Sequence, residues 1–323
     1  MGLGRPVTSD TTAAPAASRA GSELRAPARR GPSGRAPLPA RLSRGLAAIG
    51  LVPFAAYLLL FLVLPTILAV ATGFFTRDGA FTTSNLSALW DPTVLLTFAN
   101  SAGLSLLTAA IGAIVGALVC YALLGMSPSG GVRTVIDAAS GVLAQTGGVM
   151  LAFMFIATLG LRGVLTELLK NAFGIDLFAQ GPWIYELPGL ILPYLYFQIP
   201  LMVITFMPAL SALKPQWAEA NLTLGGTRAS FWLRIGIPVL APAFLASFLL
   251  LFANAFSSYA TAAALASQGS QIVPLQIRAA LTSETVLGRE NLAGALALGM
   301  IVVVGIVMWL YSLVQRRAAR WQS

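Results

Sequence analysis

The sequence predicts an all-α membrane protein of six transmembrane helices, and three observations carry that fold class. The chain is 57% hydrophobic and only 10% charged, with mean hydropathy +0.81, against about a quarter charged residues in an ordinary soluble domain. Its apolar residues gather into blocks at or above the ~20 residues that span a hydrocarbon core of ~30 Å. Its basic residues gather in tails and loops beside those blocks, so the net charge of +9 reads as a topology signal and not as a nucleic-acid footprint. The single cysteine, Cys120, sits inside an apolar run and the chain has no histidine, which excludes intrachain disulfides and His-ligated metal sites.

Residues 1–44 are rich in Ala, Pro, Ser, Gly and Arg and lack apolar periodicity. Too little there can be buried to offset chain entropy, so a disordered tail is expected. The apolar run after it is too long for a signal-peptide core and lacks a small-residue cleavage site before the next loop, which makes it a retained span. The six expected spans are 46–75, 96–124, 134–160, 188–210, 237–265 and 292–314. With the arginine-rich tail held in the cytoplasm, alternation gives the inner side Arg133, Lys214, Arg228, Arg234, Arg316, Arg317 and Arg320 as well. The outer side receives Arg77, Arg162, Lys170, Arg278 and Arg289. Much of this asymmetry rests on the tail, and it puts both termini in the cytoplasm.

The same alternation makes the loop between the fourth and fifth spans cytoplasmic. Pro215 suits the first turn of a helix, where its missing N–H would be unpaired anyway, and Gly225 and Gly226 suit a left-handed helix end. On the resulting helix of about ten residues, Trp217, Ala220 or Asn221, and Leu224 form an apolar stripe opposite Gln216, Glu219 and Thr223. Thr227 can cap a second short helix carrying Phe231, Trp232 and Ile235, and Pro238 is expected to limit its continuation into the fifth span.

Glu219-Ala220-Asn221, Gly225, Ile235 and Pro238 stand in the register of the EAA loop of ABC importer permeases, and the chain resembles that family over residues 46–315. The family pattern is Glu-Ala-Ala, three variable residues, Gly, nine variable residues, Ile, one variable residue, Leu and Pro. Here Asn221 replaces the second Ala, which affects the fit of the docking helix, and Ile237 replaces Leu. The resemblance implies a six-helix permease domain at 45–316 with a coupling-helix loop between helices 4 and 5 and a short cytoplasmic tail at 317–323. It further implies a prokaryotic inner-membrane subunit that forms the translocation pathway with a second permease, as a heterodimer more often than a homodimer. An extracytoplasmic solute-binding protein would deliver the solute, and a separate ATPase subunit would bind ATP and magnesium. No Gly-x-x-x-x-Gly-Lys-Ser/Thr run, metal-ligand spacing or nucleophile–base pair occurs in the chain, and its loops are too short for a nucleotide-binding domain. The chain is expected to bind no cofactor and to be no enzyme by itself.

Polar groups at membrane depth are candidate pathway residues, because they are costly to leave against lipid. Asn254, Ser257, Ser258 and Tyr259 form the densest group, with Thr261 beside them. Gln145 and Thr146 lie on the third span, and Tyr194, Tyr196 and Gln198 on the fourth. Each equally suits a hydrogen bond between helices. Asp137 stands one turn from Arg133, a spacing that pairs opposite charges on one helix face. Residues 252–277 resemble the spermidine/putrescine permease group, which implies a polyamine-type or another small polar solute. The alternatives are a six-span secondary transporter or channel, which would show charged relay residues or broken inverted repeats, and a membrane scaffold or intramembrane enzyme.

Overall fold

The computed structural model describes residues 51–76, 78–127, 129–266, 272–282 and 290–319, leaving aside the side chains of residues 290 and 317–319. The expected tail at 1–44 lies outside the described residues, as do residues 320–323 of the C-terminal tail. By contact the chain divides into Met1–Tyr57, where residues 51–57 are helical, and Leu58–Ser323. The described residues contain eleven helices of six or more residues and, outside them, short turns and one isolated β-bridge between Phe75 and Phe81. The helices are α1 (Leu51–Thr72), α2 (Pro92–Leu124), α3 (Gly131–Gln145), α4 (Gly148–Leu159), α5 (Val164–Phe173), α6 (Ile191–Ser211), α7 (Pro215–Thr223), α8 (Arg228–Phe256), α9 (Ala260–Leu265), α10 (Val273–Thr282) and α11 (Glu290–Ala319). Six apolar helical stretches are long enough to cross a membrane: Leu51–Thr72, Pro92–Leu124, Gly148–Phe173, Leu187–Ser211, Arg228–Phe256 and Asn291–Arg316.

The longest helix, α2, starts where sequence chemistry allows it. Asp91 stays extended and accepts a hydrogen bond from the Thr93 amide at 2.8 Å, while Pro92 supplies the first helical position. That helix packs along α6 and α8, and Gly112 and Gly116 set the approach. A Cβ at Gly116 would stand 2.5 Å from the Met202 Cβ, and one at Gly112 would stand 3.0 Å from the Gln198 Cβ. Small residues of this kind let membrane helices associate by close packing, because lipid removes the hydrophobic drive between them. Buried apolar residues form two clusters along this centre, one around Leu151, Tyr194, Phe197 and Leu265, the other around Ala113, Met202, Phe206 and Leu251.

The structure differs from the expected spans in three places. The third block is not one helix: α3 ends at Gln145 and α4 begins at Gly148, whose φ of +76° only glycine adopts without strain. The pair Gly147-Gly148 is thus a helix break. In the fifth block, α8 ends at Phe256 and Ser257–Tyr259 intervene before α9. Pro238 does not stop the helix that precedes it, because a π turn at Trp232–Gly236 carries the backbone from the first turn of α8 into the span. A wide turn of this type re-registers the ladder where proline supplies no donor.

Candidate functional site

The polar segment between α6 and α8 is built as a lateral helix, a glycine turn and a re-entering helix. Pro215 occupies the first turn of α7, as its chemistry requires. At the other end Gly225 has φ +76°, its N–H donates to the Leu222 carbonyl at 3.0 Å, and the Gly226 N–H reaches back to the Asn221 carbonyl at 2.8 Å. This pair of bonds is a Schellman ending, which satisfies carbonyls that α7 would otherwise leave open. Thr227 then caps α8, its hydroxyl accepting from the Ser230 amide at 3.2 Å.

Asn221, the departure from the small-residue pattern, has a use in this chain. Its side-chain amide donates to the Thr227 carbonyl at 3.0 Å, tying the last turn of α7 to the start of α8 across the glycines. The larger side chain therefore replaces close packing with a hydrogen bond. Trp217, Ala218 and Asn221 form the partly covered side of α7, whereas Glu219, Ala220, Leu222 and Thr223 are exposed. Leu224, expected on the covered stripe, is 88% exposed, because the helix ends before it and the turn carries it outward. Phe231 is buried and Trp232 packs edge-on against Tyr121 of α2 at 5.3 Å between ring centroids. Ile235 is half-buried and Pro238 exposed. Glu219, Ala220, Gly225, Ile235 and Pro238 thus lie on one continuous helix–turn–helix, with Glu219 and Ala220 on its free face.

A second grouping lies where the two broken helices meet. The Gly148 N–H donates to the Thr261 hydroxyl at 2.9 Å, and α4 packs along α9. Tyr194 of α6, buried, donates its hydroxyl to the Ser258 carbonyl at 3.0 Å. Backbone groups freed by each break therefore find partners on another helix, which is the condition for irregular backbone at membrane depth. Asn254, Ser257, Tyr259 and Gln145 are exposed on the isolated chain, and Ser258 is partly so. Gln198 is placed differently. It is fully buried, and its amide nitrogen donates to the Thr108 hydroxyl at 2.7 Å between α6 and α2.

Thr108 belongs to a set that sequence reading passed over. Thr97, Ser101, Ser105 and Thr108 recur every three or four residues along α2 and are all buried. Ser105 and Thr108 donate to backbone carbonyls one turn earlier, and the Ser101 hydroxyl accepts from the Val273 N–H at 2.8 Å, fixing the start of α10. Their helical spacing was the available signal. Arg133 and Asp137 form the expected pair on α3, at 3.8 Å. Among the described residues no group of three or more Cys, Asp or Glu side chains could hold a metal ion.

No protein-family model matches the chain. It is 27% identical over 218 residues to the trehalose transport system permease protein of Mycobacterium tuberculosis, a match covering 68% of this chain and 71% of that protein. It is 22% identical over 262 residues to the spermidine/putrescine transport system permease protein of Haemophilus influenzae, covering 79% and 89%. A shorter stretch of 101 residues is 30% identical to a putative ferric transport system permease protein of Haemophilus influenzae, of which it covers 16%. In fold, the chain resembles a bacterial ABC transporter involved in the import of the acidic polysaccharide alginate, with a TM-score of 0.66 at 16% identity over 87% of this chain and 99% of that one. The alginate transporter in complex with a pentasaccharide-bound periplasmic protein gives 0.68 at 16% identity over 86% and 96%. The resemblance read from the residues of the loop and these relatives agree: the chain is a homologue of importer permease proteins and has the fold of an ABC transporter membrane component.

Proposed function

We propose that this chain is a permease subunit of an ABC importer, lining a translocation pathway and taking its driving force from ATP hydrolysed on a separate subunit. The observation that carries this reading is the free face of α7. A short helix bearing Glu219, Ala220 and Leu222 is held by the Gly225 turn and the Asn221 bond, with apolar side chains open on a polar loop. In a groove of an ATPase subunit that face would follow the subunit's movement, and α8 would transmit it into the membrane. Such a switch works because the nucleotide binds two arrangements of the assembly with different affinity. ATP and magnesium would be held by the ATPase, and this chain would hold no cofactor.

Both termini and α7 face the cytoplasm of a prokaryotic inner membrane in this reading, in keeping with the basic residues on that side. A second, non-identical permease completes the pathway, and a solute-binding protein loads it from outside, a partner of the kind found in complex with the alginate transporter as a pentasaccharide-bound periplasmic protein. Asn254, Ser257, Ser258, Tyr259 and Gln145 form the lining. The burial of Gln198 and its bond to Thr108 suit a role in holding α2 to α6. The names of the relatives point to a small polar solute of polyamine or sugar type, to which this lining offers uncharged hydrogen-bonding groups.

Purification from native membranes tests the reading. An ATPase subunit should copurify with the chain, and replacement of Glu219 and Gly225 together should abolish uptake while membrane insertion persists. Recovery without an ATPase, together with uptake unchanged in the double variant, would refute it.

A further inference from the structure

Two cavities meet on the membrane side of α7. The first, of about 610 Å³, lies between α7 and the end of α2 and is lined by Tyr121, Ala218, Asn221, Leu222, Arg228 and Trp232. The second, of about 560 Å³, runs down the faces of α2 and α8, where Ile114, Leu118, Phe244 and Leu245 give it an apolar wall. Both fall in the size range of small-molecule sites. Tyr121 and Trp232 line both and stand edge-on between them. Arg228 is exposed, and among the described residues no carboxylate pairs with it. A compartment lined by this arginine thus shares an aromatic wall with an apolar groove between two membrane-spanning stretches.

We infer that this is a site for one anionic membrane phospholipid, its phosphate at Arg228 beneath α7 and an acyl chain along Ile114, Leu118 and Phe244. The charge calls for an anion, and the apolar groove across the shared aromatic wall calls for one attached to a hydrocarbon chain. Tyr121 and Trp232 suit the boundary between the two, where amphipathic rings settle at headgroup level. Leu222 borders the cavity while Glu219, Ala220 and Thr223 do not line it, so lipid on the covered side leaves that part of the exposed face open to a protein. The lipid would then set the height of α7 relative to the bilayer. This inference needs the chain to lie in a membrane but does not need the ATPase, and its test omits that subunit.

The full chain, purified in mild detergent, is read by native mass spectrometry after equilibration with phosphatidylglycerol, phosphatidylcholine or glycerol 1-phosphate. One phosphatidylglycerol should be retained in preference to phosphatidylcholine, and glycerol 1-phosphate should not displace it. Arg228→Gln should lower phosphatidylglycerol retention about tenfold and level the preference, as loss of a charge-assisted contact predicts. Ala241→Trp, which fills the groove, should remove both lipids. Equal retention of the two lipids by the unaltered chain, displacement by glycerol 1-phosphate, or full retention by Arg228→Gln would overturn the site. The arginine is at the surface, so its variant decides alone if the bulky one fails to elute as a monodisperse protein.

Discussion

Gly225 concentrates the coupling geometry in one residue. Its φ of +76° and open surroundings mean that a side chain there meets no neighbour but does meet an unfavourable backbone. A β-branched replacement is therefore a conformational test and not a packing one. Gly225→Val should cost about 1–3 kcal/mol locally and misdirect α7. In proteoliposomes with the proposed ATPase, hydrolysis should continue while uptake falls; normal coupled uptake would remove the turn from the mechanism. Gly116 is the opposite kind of glycine, since the 2.5 Å approach of Met202 leaves no volume for a side chain.

At the scale of elements, the break between α3 and α4 depends on Thr261. Thr261→Val keeps shape but leaves the Gly148 N–H without its acceptor, a loss of about 1–3 kcal/mol. Faster hydrogen exchange of the Gly148 amide should report it, and unchanged protection would show that the bond is dispensable. The start of α2 makes a pH-dependent prediction. The Thr93 hydroxyl, and after it the Thr93 N–H, hold the Asp91 carboxylate below its ordinary pKa. A depressed folded pKa means the cap is fully present above the unfolded value near 4 and is lost as pH falls through the folded one. Asp91→Ala should lower the melting temperature at neutral pH, and the difference from the parent should close in that acid window. Most spans were legible because span length and helix punctuation are local: Pro215, Gly225 and Thr227 each stand where the structure uses them. The breaks at Gly147-Gly148 and Ser257–Tyr259 were not, because each lies inside a block whose overall length and hydropathy read as one span, and the cross-helix bonds from Gly148 to Thr261 and from Tyr194 to Ser258 that satisfy the interrupted backbone join residues far apart in sequence. The buried hydroxyls of α2 were hidden for the same reason, since a helix-spaced Ser or Thr is identical in sequence whether it faces a pathway or another helix.

For the whole molecule, the prediction is orientation. Cys120 is the only cysteine and is buried, so a Cys120→Ser background gives a clean start. Gln216→Cys on α7 should react with a membrane-impermeant maleimide only from the cytoplasmic side, and Lys170→Cys only from the outside. The reverse labelling would invert the topology and remove α7 from reach of an ATPase.

The π turn ahead of Pro238 has a consequence for phase. Phe231, Gly236 and Leu240 are all buried, so successive inward positions are five residues apart across the turn and four beyond it. An unbroken α-helix would rotate the fifth residue well off that face, at about 100° per residue. The wide turn absorbs the surplus, so the loop end and the membrane end of α8 keep the same bearing despite an odd residue between them. Deleting a single residue from residues 233–235 would bring Phe231 and Gly236 to the four-residue spacing that an α turn already keeps on one face, so the wide turn would close and α7 would hold its bearing.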